Sequence, residues 1–335
     1  MKIKFMKTRQ IKSLLFSLAG VMTVGSLYAE VKAPKISGFL DAQYQYKKKA
    51  IDPGFILNDG ALYFSAEFDS VKGMIDLPFK GAVGENSSFD FAKGKAQAYL
   101  TWTAMEGLEI SAGQFDTIFG FELNDSKDLT FTAPGAVFAY LLPVTHLGGM
   151  FAYSSDGLSL KALISNSGNK SQLYKTDPNQ KTDPNQKSEF PEVGAQLGYS
   201  TDMLRASVGM LHHQQKGSPG ASNFYSVLLG ATFDPITVDA ELDAKKIGST
   251  AVGYGGLLNA VAKASDELSV GARFEWLRKV PVAGYEVINA TFGPQYAFNE
   301  NLKFKGDYTW TGVKPVKGDK RKNEQSVNAA ALFMF

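Results

Sequence analysis

Apolar and polar residues alternate one by one along most of this chain. From Ile36 to Lys47, Leu40, Ala42, Tyr44 and Tyr46 face away from Asp41, Gln43 and Gln45. The same register sets Ala96, Ala98, Leu100 and Trp102 against Lys95, Gln97, Tyr99 and Thr101. Further on, Ile236, Val238, Ala240 and Leu242 stand against Thr237, Asp239, Glu241 and Asp243. Leu268, Val270, Ala272, Phe274 and Trp276 oppose Ser269, Gly271, Arg273 and Glu275, and Leu302, Phe304, Tyr308 and Trp310 oppose Lys303, Lys305, Asp307 and Thr309. Period two is the signature of β-strands with two unlike faces. Ionised groups this numerous on one face cannot lie in a dry core, so that face meets water.

Turn residues divide the chain into about sixteen such segments (14 to 18, allowing for ambiguous ends). Short turns fall at Asp69-Ser70, Met105-Glu106, Ser155–Gly157, Thr201-Asp202, Asp234-Pro235, Ser265–Glu267 and Asn299–Asn301. Between them lie mostly longer connections, at 48–58, 81–93, 116–145, 167–191, 213–222 and 313–324. A transmembrane antiparallel up-and-down β-barrel sorts its connections this way, with short periplasmic turns, longer external loops and both termini inside. A soluble sandwich or a solenoid has no reason to do so. The last segment, Gln325 to Phe335, places Val327, Ala329, Ala331, Phe333 and Phe335 on one face. An unpaired apolar edge strand invites aggregation, whereas pairing with the first strand closes the barrel. Phe333 and Phe335 also resemble the C-terminal aromatic assembly signal of bacterial outer-membrane barrels, which implies the barrel-assembly machinery as a partner.

The N-terminus supplies the export route. Lys2, Lys4, Lys7, Arg9 and Lys12 precede the apolar run Leu14 to Val24, and Gly25–Ala29 offers small residues for cleavage before Glu30. That run is too short to span a bilayer as a helix, which needs roughly twenty residues. Residues 1–29 are therefore expected to be a cleaved signal peptide and 30–335 the barrel, in the bacterial outer membrane and in contact with its lipid. Losing the five leader bases leaves 30 basic against 33 acidic residues, a formal charge of −3. No basic stripe points to nucleic acid. The chain has no Cys, which excludes disulfides and thiolate chemistry.

Two external connections stand apart. Lys175–Gln180 is repeated at once as Lys181–Gln186, a polar, Pro-containing duplication suited to an exposed, mobile loop in 167–191. The third connection, 116–145, is the longest and carries Ile118, Phe119, Phe121, Leu123, Leu129, Phe131, Val137, Phe138, Tyr140 and Leu141. A solvated loop would not hold so many apolar side chains, so this one is expected to pack against something. A third loop folded into the lumen, as in general porins, fits its position and composition.

Gly113–Glu122 reads Gly-Gln-Phe-Asp-Thr-Ile-Phe-Gly-Phe-Glu, and Pro143–Gly148 reads Pro-Val-Thr-His-Leu-Gly. Together with the strand Met150 to Tyr153, these runs resemble the β-barrel porin-2 (OmpL-like) family of bacterial outer-membrane proteins. The resemblance covers roughly residues 107–167 and implies a porin. Gln114 stands where a basic residue is expected, and Ser165–Asn169 replaces an Asn-Gly-aromatic pattern. The function expected is a water-filled channel through which small polar solutes and ions diffuse, with a homotrimer as a possible assembly. The alternative is a non-channel barrel serving as a surface structural protein or adhesin, its lumen plugged by the third loop.

Enzyme chemistry finds little support. His212 and His213 are adjacent on a strand and point to opposite faces, and His146 sits at a loop exit where it suits a hydrogen bond to the third loop. Asp116, Glu122, Asp125 and Asp128 lack the spacing of a calcium loop, and no cofactor or metal site is expected. Those four acids on the third loop would face Lys95, Lys161, Arg205, Arg273, Lys303 and Lys305 on the wall. Acids opposite bases would set a transverse field at a channel constriction.

Overall fold

The computed structural model describes residues 33–48, 51–81, 89–91, 96–166, 191–214, 221–279, 285–315 and 322–335. The leader, the duplicated hexapeptide and Lys95 lie outside them. The strands are β1 (Lys35–Lys47), β2 (Ile51–Phe68), β3 (Val71–Gly81), β4 (Phe89–Phe91), β5 (Gln97–Met105), β6 (Leu108–Asp116), β7 (Thr145–Ser155), β8 (Leu158–Ser165) and β9 (Glu192–Ser200). They continue as β10 (Leu204–His213), β11 (Ser222–Phe233), β12 (Ile236–Lys246), β13 (Gly253–Lys263), β14 (Leu268–Arg278), β15 (Tyr285–Ala297), β16 (Leu302–Pro315) and β17 (Lys322–Met334). Apart from the three-residue β4, which pairs only with β3, each strand is antiparallel to its neighbours in sequence, and β3 pairs directly with β5. The last strand returns to the first, so sixteen strands close into a barrel. Among the described residues no helix is long and apolar enough to cross a membrane.

At the seam Leu40 stands opposite Phe333 and Ala42 opposite Ala331. Gly38 and Phe335 exchange backbone hydrogen bonds of 2.9 and 3.0 Å, and a side chain at Gly38 would lie 2.5 Å from the Ala61 carbonyl. Only glycine lets the final residue lock in.

Burial along the strands is inverted relative to a soluble domain. Leu242 is 55% exposed, while its neighbours Glu241 and Asp243 are only 2% and 3% exposed. Leu204, Val208, Met210, Leu229, Phe274 and Phe292 are likewise exposed, and inward-facing Asp41, Gln43, Arg273, Glu275, Lys305 and Asp307 are buried. This is the arrangement of a barrel whose outside meets hydrocarbon and whose inside is polar.

All seven short turns fall where the sequence places them, but the first external connection does not. Pro53, Gly54, Asn58 and Gly60 suggest a loop over 48–58, yet β2 begins at Ile51 and Gly54 to Gly60 pair with β1. The ladder absorbs these residues through a bulge between Asp41 and Ala42. The bulge leaves Asn58 out of the ladder beside Asp59; the Asn58 amide donates to the Asp41 carboxylate at 3.0 Å, and the Asp59 carboxylate accepts from Ser126 N–H at 3.0 Å. Two further long-side connections, 247–252 and 279–284, separate β12 from β13 and β14 from β15.

Candidate functional site

The third connection enters the barrel. Its neck is closed by Thr117 N–H donating to the Val144 carbonyl at 2.9 Å. It continues through a single 3-10 turn, Ser126–Asp128, and a short helix, α1 (Ala136–Tyr140). Phe119, Val137 and Leu141 on this segment are buried with Leu163, Leu211, Phe224, Leu257 and Leu277, which point inward from the wall. Phe119 meets Phe224 edge to face with ring centres 5.3 Å apart. Phe119, Val137, Phe138 and Leu141, with Ile118 and Phe121 against them, thus form a core with an apolar patch of the inner wall; Leu129 and Phe131 are buried elsewhere, and Leu123 and Tyr140 remain exposed.

Polar contacts attach the segment around most of the circumference. On β1, Gln43 donates to the Thr132 carbonyl at 2.7 Å, and on β2, Asp59 accepts from Ser126 N–H at 3.0 Å. Tyr63 on β2 donates to Asp125. Gln97 on β5 accepts from Asp116 N–H at 3.0 Å, and Gln196 on β9 donates to the Ile118 carbonyl at 2.6 Å. Glu241 on β12 accepts from Phe121 N–H at 2.8 Å. On β16, Lys305 donates to the carbonyls of Ser126 and Leu129 at 2.7 and 2.5 Å, and Asp307 accepts from Thr132 N–H at 2.8 Å. Each contact satisfies a backbone or side-chain group that would otherwise be buried unpaired.

The tightest attachment is on β14. Arg273 donates to Glu122, lies 3.4 Å from Glu275, and stacks over Phe131 with its guanidinium carbon 4.9 Å from the ring centre. Glu122 also accepts from Gly135 N–H at 2.6 Å, and Glu275 from Val137 N–H at 2.9 Å, so both acids hold the start of α1. A side chain at Gly135 would lie 2.2 Å from a Glu275 carboxylate oxygen. Burial pushes the Glu122 carboxyl up to about 7 against the pull of Arg273, and the nearby Glu275 adds to the rise. Burial likewise raises Asp125, partly offset by the hydrogen bond from Tyr63.

Of the residues singled out in sequence, Glu122 meets Arg273, and Lys305 meets the backbone of the third connection. Asp116 accepts instead from Asn124 at 2.5 Å, and Asp128 from Lys127 at 2.5 Å. Arg205 pairs with Asp239 on the neighbouring wall at 2.5 Å, its side chain 43% exposed, and Lys303 is half-buried on β16. Lys161 faces inward on β8. Asp59, Tyr63, Gln196, Glu241, Glu275 and Asp307 were not singled out. Alternation assigns most of them to the wet face, but only the folded segment selects them as anchors.

Water-sized space remains on both sides. A cavity of about 200 Å³ toward the long connections is lined by Gln45, Lys47, Thr309, Thr311 and Glu324. Another of about 390 Å³ toward the short turns is lined by Lys35, Ser65, Glu67, Lys72, Thr101 and Glu109. His146 lies 3.3 Å from the Thr117 hydroxyl at the neck, His213 is buried, and His212 contacts Asn223 at 2.8 Å. Among the described residues no three His, Asp or Glu side chains converge as a metal site would require.

A closed sixteen-strand barrel with an inward third connection defines a porin-type outer-membrane protein. The chain belongs to the family described as "Putative beta-barrel porin-2, OmpL-like", whose model matches residues 20–335, and it is an outer-membrane porin. Among solved structures it is similar to an anion-selective porin from Comamonas acidovorans, with 13% identity, 91% of this chain and 100% of that one covered, and a TM-score of 0.65. It is also similar to Salmonella typhi OmpF in complex with daunomycin, with 14% identity, 90% and 97% covered, and a TM-score of 0.65. A trimer form of Vibrio cholerae OmpT matches at 12% identity over 91% and 99% of the two chains, with a TM-score of 0.60. At these identities the likeness concerns the fold. No curated protein matches the chain in sequence.

Proposed function

We propose that this porin passes small polar solutes and ions by passive diffusion and that the third connection is its fixed constriction. The observation that carries the reading is the attachment of this segment to inward residues of β1, β2, β9, β12, β14 and β16. A segment held on so many sides narrows the lumen without swinging in it. Because Glu122, Arg273 and Lys305 are buried in its seat, they set the shape of the passage. The water-facing charges Arg205, Lys303 and Asp128 tune which ions pass. We read Phe333 and Phe335 as the assembly signal, residues 1–29 as the leader, the chain as non-enzymatic, and the assembly as a homotrimer. The trimer form of the similar Vibrio cholerae OmpT supports the last point.

Purified protein in a planar bilayer tests this directly. Ohmic single-channel steps support the diffusion pore, and neutralising Arg205 and Lys303 should shift the reversal potential toward cations. The wall-to-wall anchoring also suits a plugged, non-conducting barrel, and that reading predicts no steps at all.

A further inference from the structure

Among the described residues, outward-facing charge at the end bearing the long connections clusters on one arc of the barrel. The strands that end there are β1, β3, β6, β8, β10, β12, β14 and β16. At or next to their ends, the outward residues on β12, β14, β16 and β1 are Lys246, Arg278, Lys314 and Lys48, with His212 on β10 beside them. The corresponding outward residues on β3, β6 and β8 are Leu77, Gln114 and Ile164. Registers keep the basic residues on one surface: His212, Asn223 and Lys246 form one row, and Tyr254 stands beside Arg278 as Glu286 does beside Lys314. Lys48, Arg278 and Lys314 are exposed. Among the described residues no ion pair involves Lys48, Lys246 or Arg278, and Lys314 has only Glu286 at 3.9 Å.

Aromatic side chains fix the depth of this arc. On β14 Trp276 lies two residues below Arg278, on β1 Tyr46 lies two below Lys48, and Trp310 lies four below Lys314 on β16. Tyr254 and Trp276 pack edge to face at 5.9 Å. Tyr and Trp girdles mark the membrane–water boundary of outer-membrane barrels. Two residues of strand rise roughly 6–7 Å, so the cations stand just beyond that boundary, where lipid headgroup phosphates lie.

We propose that the arc from β10 through β16 to β1 is a docking surface for a multiply phosphorylated glycolipid of the outer leaflet. Its phosphates would meet Lys246, Arg278, Lys314 and Lys48, and its acyl chains would lie on the apolar strand faces below. Guanidinium and ammonium groups are the usual partners of phosphate oxygens, and several cations on one curved surface favour a headgroup with more than one phosphate. On β3, β6 and β8 the described residues that alternation turns outward at this height are the uncharged Leu77, Gln114 and Ile164.

Native mass spectrometry of the protein in neutral detergent, titrated with diphosphorylated lipid A, phosphatidylglycerol or phosphatidylcholine, tests the proposal. Wild type should bind lipid A tightest and phosphatidylcholine weakest. The variant Lys48→Gln/Lys246→Gln/Arg278→Gln/Lys314→Gln should bind lipid A about a hundredfold more weakly, roughly fivefold for each unopposed cation. The variant Lys35→Gln/Lys72→Gln/Lys263→Gln, which removes cations on the other rim, should bind as wild type does. If the quadruple variant does not fold, Lys246→Gln and Arg278→Gln alone should each lose roughly fivefold. Unchanged lipid A binding in the arc variants, or phosphatidylglycerol binding as tightly as lipid A, would overturn the proposal. So would loss of subunit association with lipid binding intact, because the arc would then be a subunit interface.

Discussion

The barrel wall and the segment inside it follow opposite rules. On the outer face, Val208, Leu229 and Phe292 need only be apolar and on the correct side of a strand, because hydrocarbon accepts any shape. Inside, Arg273 meets Glu122, Glu275 and the ring of Phe131 at once, and Gly135 fits only because it has no side chain. The wall is specified by a pattern and the seat by individual atoms. Substitutions of similar size should therefore have very unequal effects in the two regions.

The sharpest contrast should come from Arg273→Met. It leaves Glu122 and Glu275 buried without their shared cation, and losing one partner of a buried ion pair costs about 3–5 kcal/mol. Urea unfolding in detergent micelles should show that loss. A change no larger than that of an outer-face variant would mean the seat is not held by this cluster.

A second effect depends on pH. Glu122 rises from an ordinary 4.5 to about 7 in the folded protein. Between those values the folded state holds a proton that the unfolded state has released. Stability therefore falls as pH rises from about 4.5 to about 7, by up to about 3 kcal/mol over the window. Glu122→Gln should flatten this slope in urea midpoints measured across the window. An identical slope in the variant would show that another group is responsible.

Gly135→Ala comes next. The new methyl group would press on the Glu275 carboxylate, which is held by Val137 N–H, at a cost of about 1–3 kcal/mol. The smallest effect belongs to Val208→Leu on the outer face, expected within about 0.5 kcal/mol of wild type. If Val208→Leu were the more disruptive of the two, the contrast between wall and seat would fail.

The same difference explains what the sequence made legible. Strand faces, the seven tight turns and the closing strand follow from period two and turn chemistry, so Leu242 against Asp243 could be read directly. The excess of apolar residues in 116–145 showed that this segment packs, and the structure supplies Leu211, Phe224 and Leu277 as its partners. What stayed hidden is register across the lumen. Alternation puts Arg205 and Arg273 on the same wet face, but only the folded segment brings Arg273 to Glu122 and leaves Arg205 with Asp239. The bulge after Asp41 hid β2 for a related reason, since its Pro, Gly and Asn residues look like a loop although β1 pairs with Gly54–Leu57, Asp59 and Gly60 around the unpaired Asn58.

The central claim is that the third connection narrows an otherwise open lumen. Single-channel conductance of wild type and of a variant lacking residues 122–136, recorded in the same bilayers, tests it most directly. That deletion removes Glu122, the anchors at Ser126 and Thr132, and the Gly135 cap of α1. The account predicts ohmic steps for both proteins, with clearly larger steps for the deletion variant. Equal step sizes would contradict it, because the passage would then be limited somewhere other than at the seated segment.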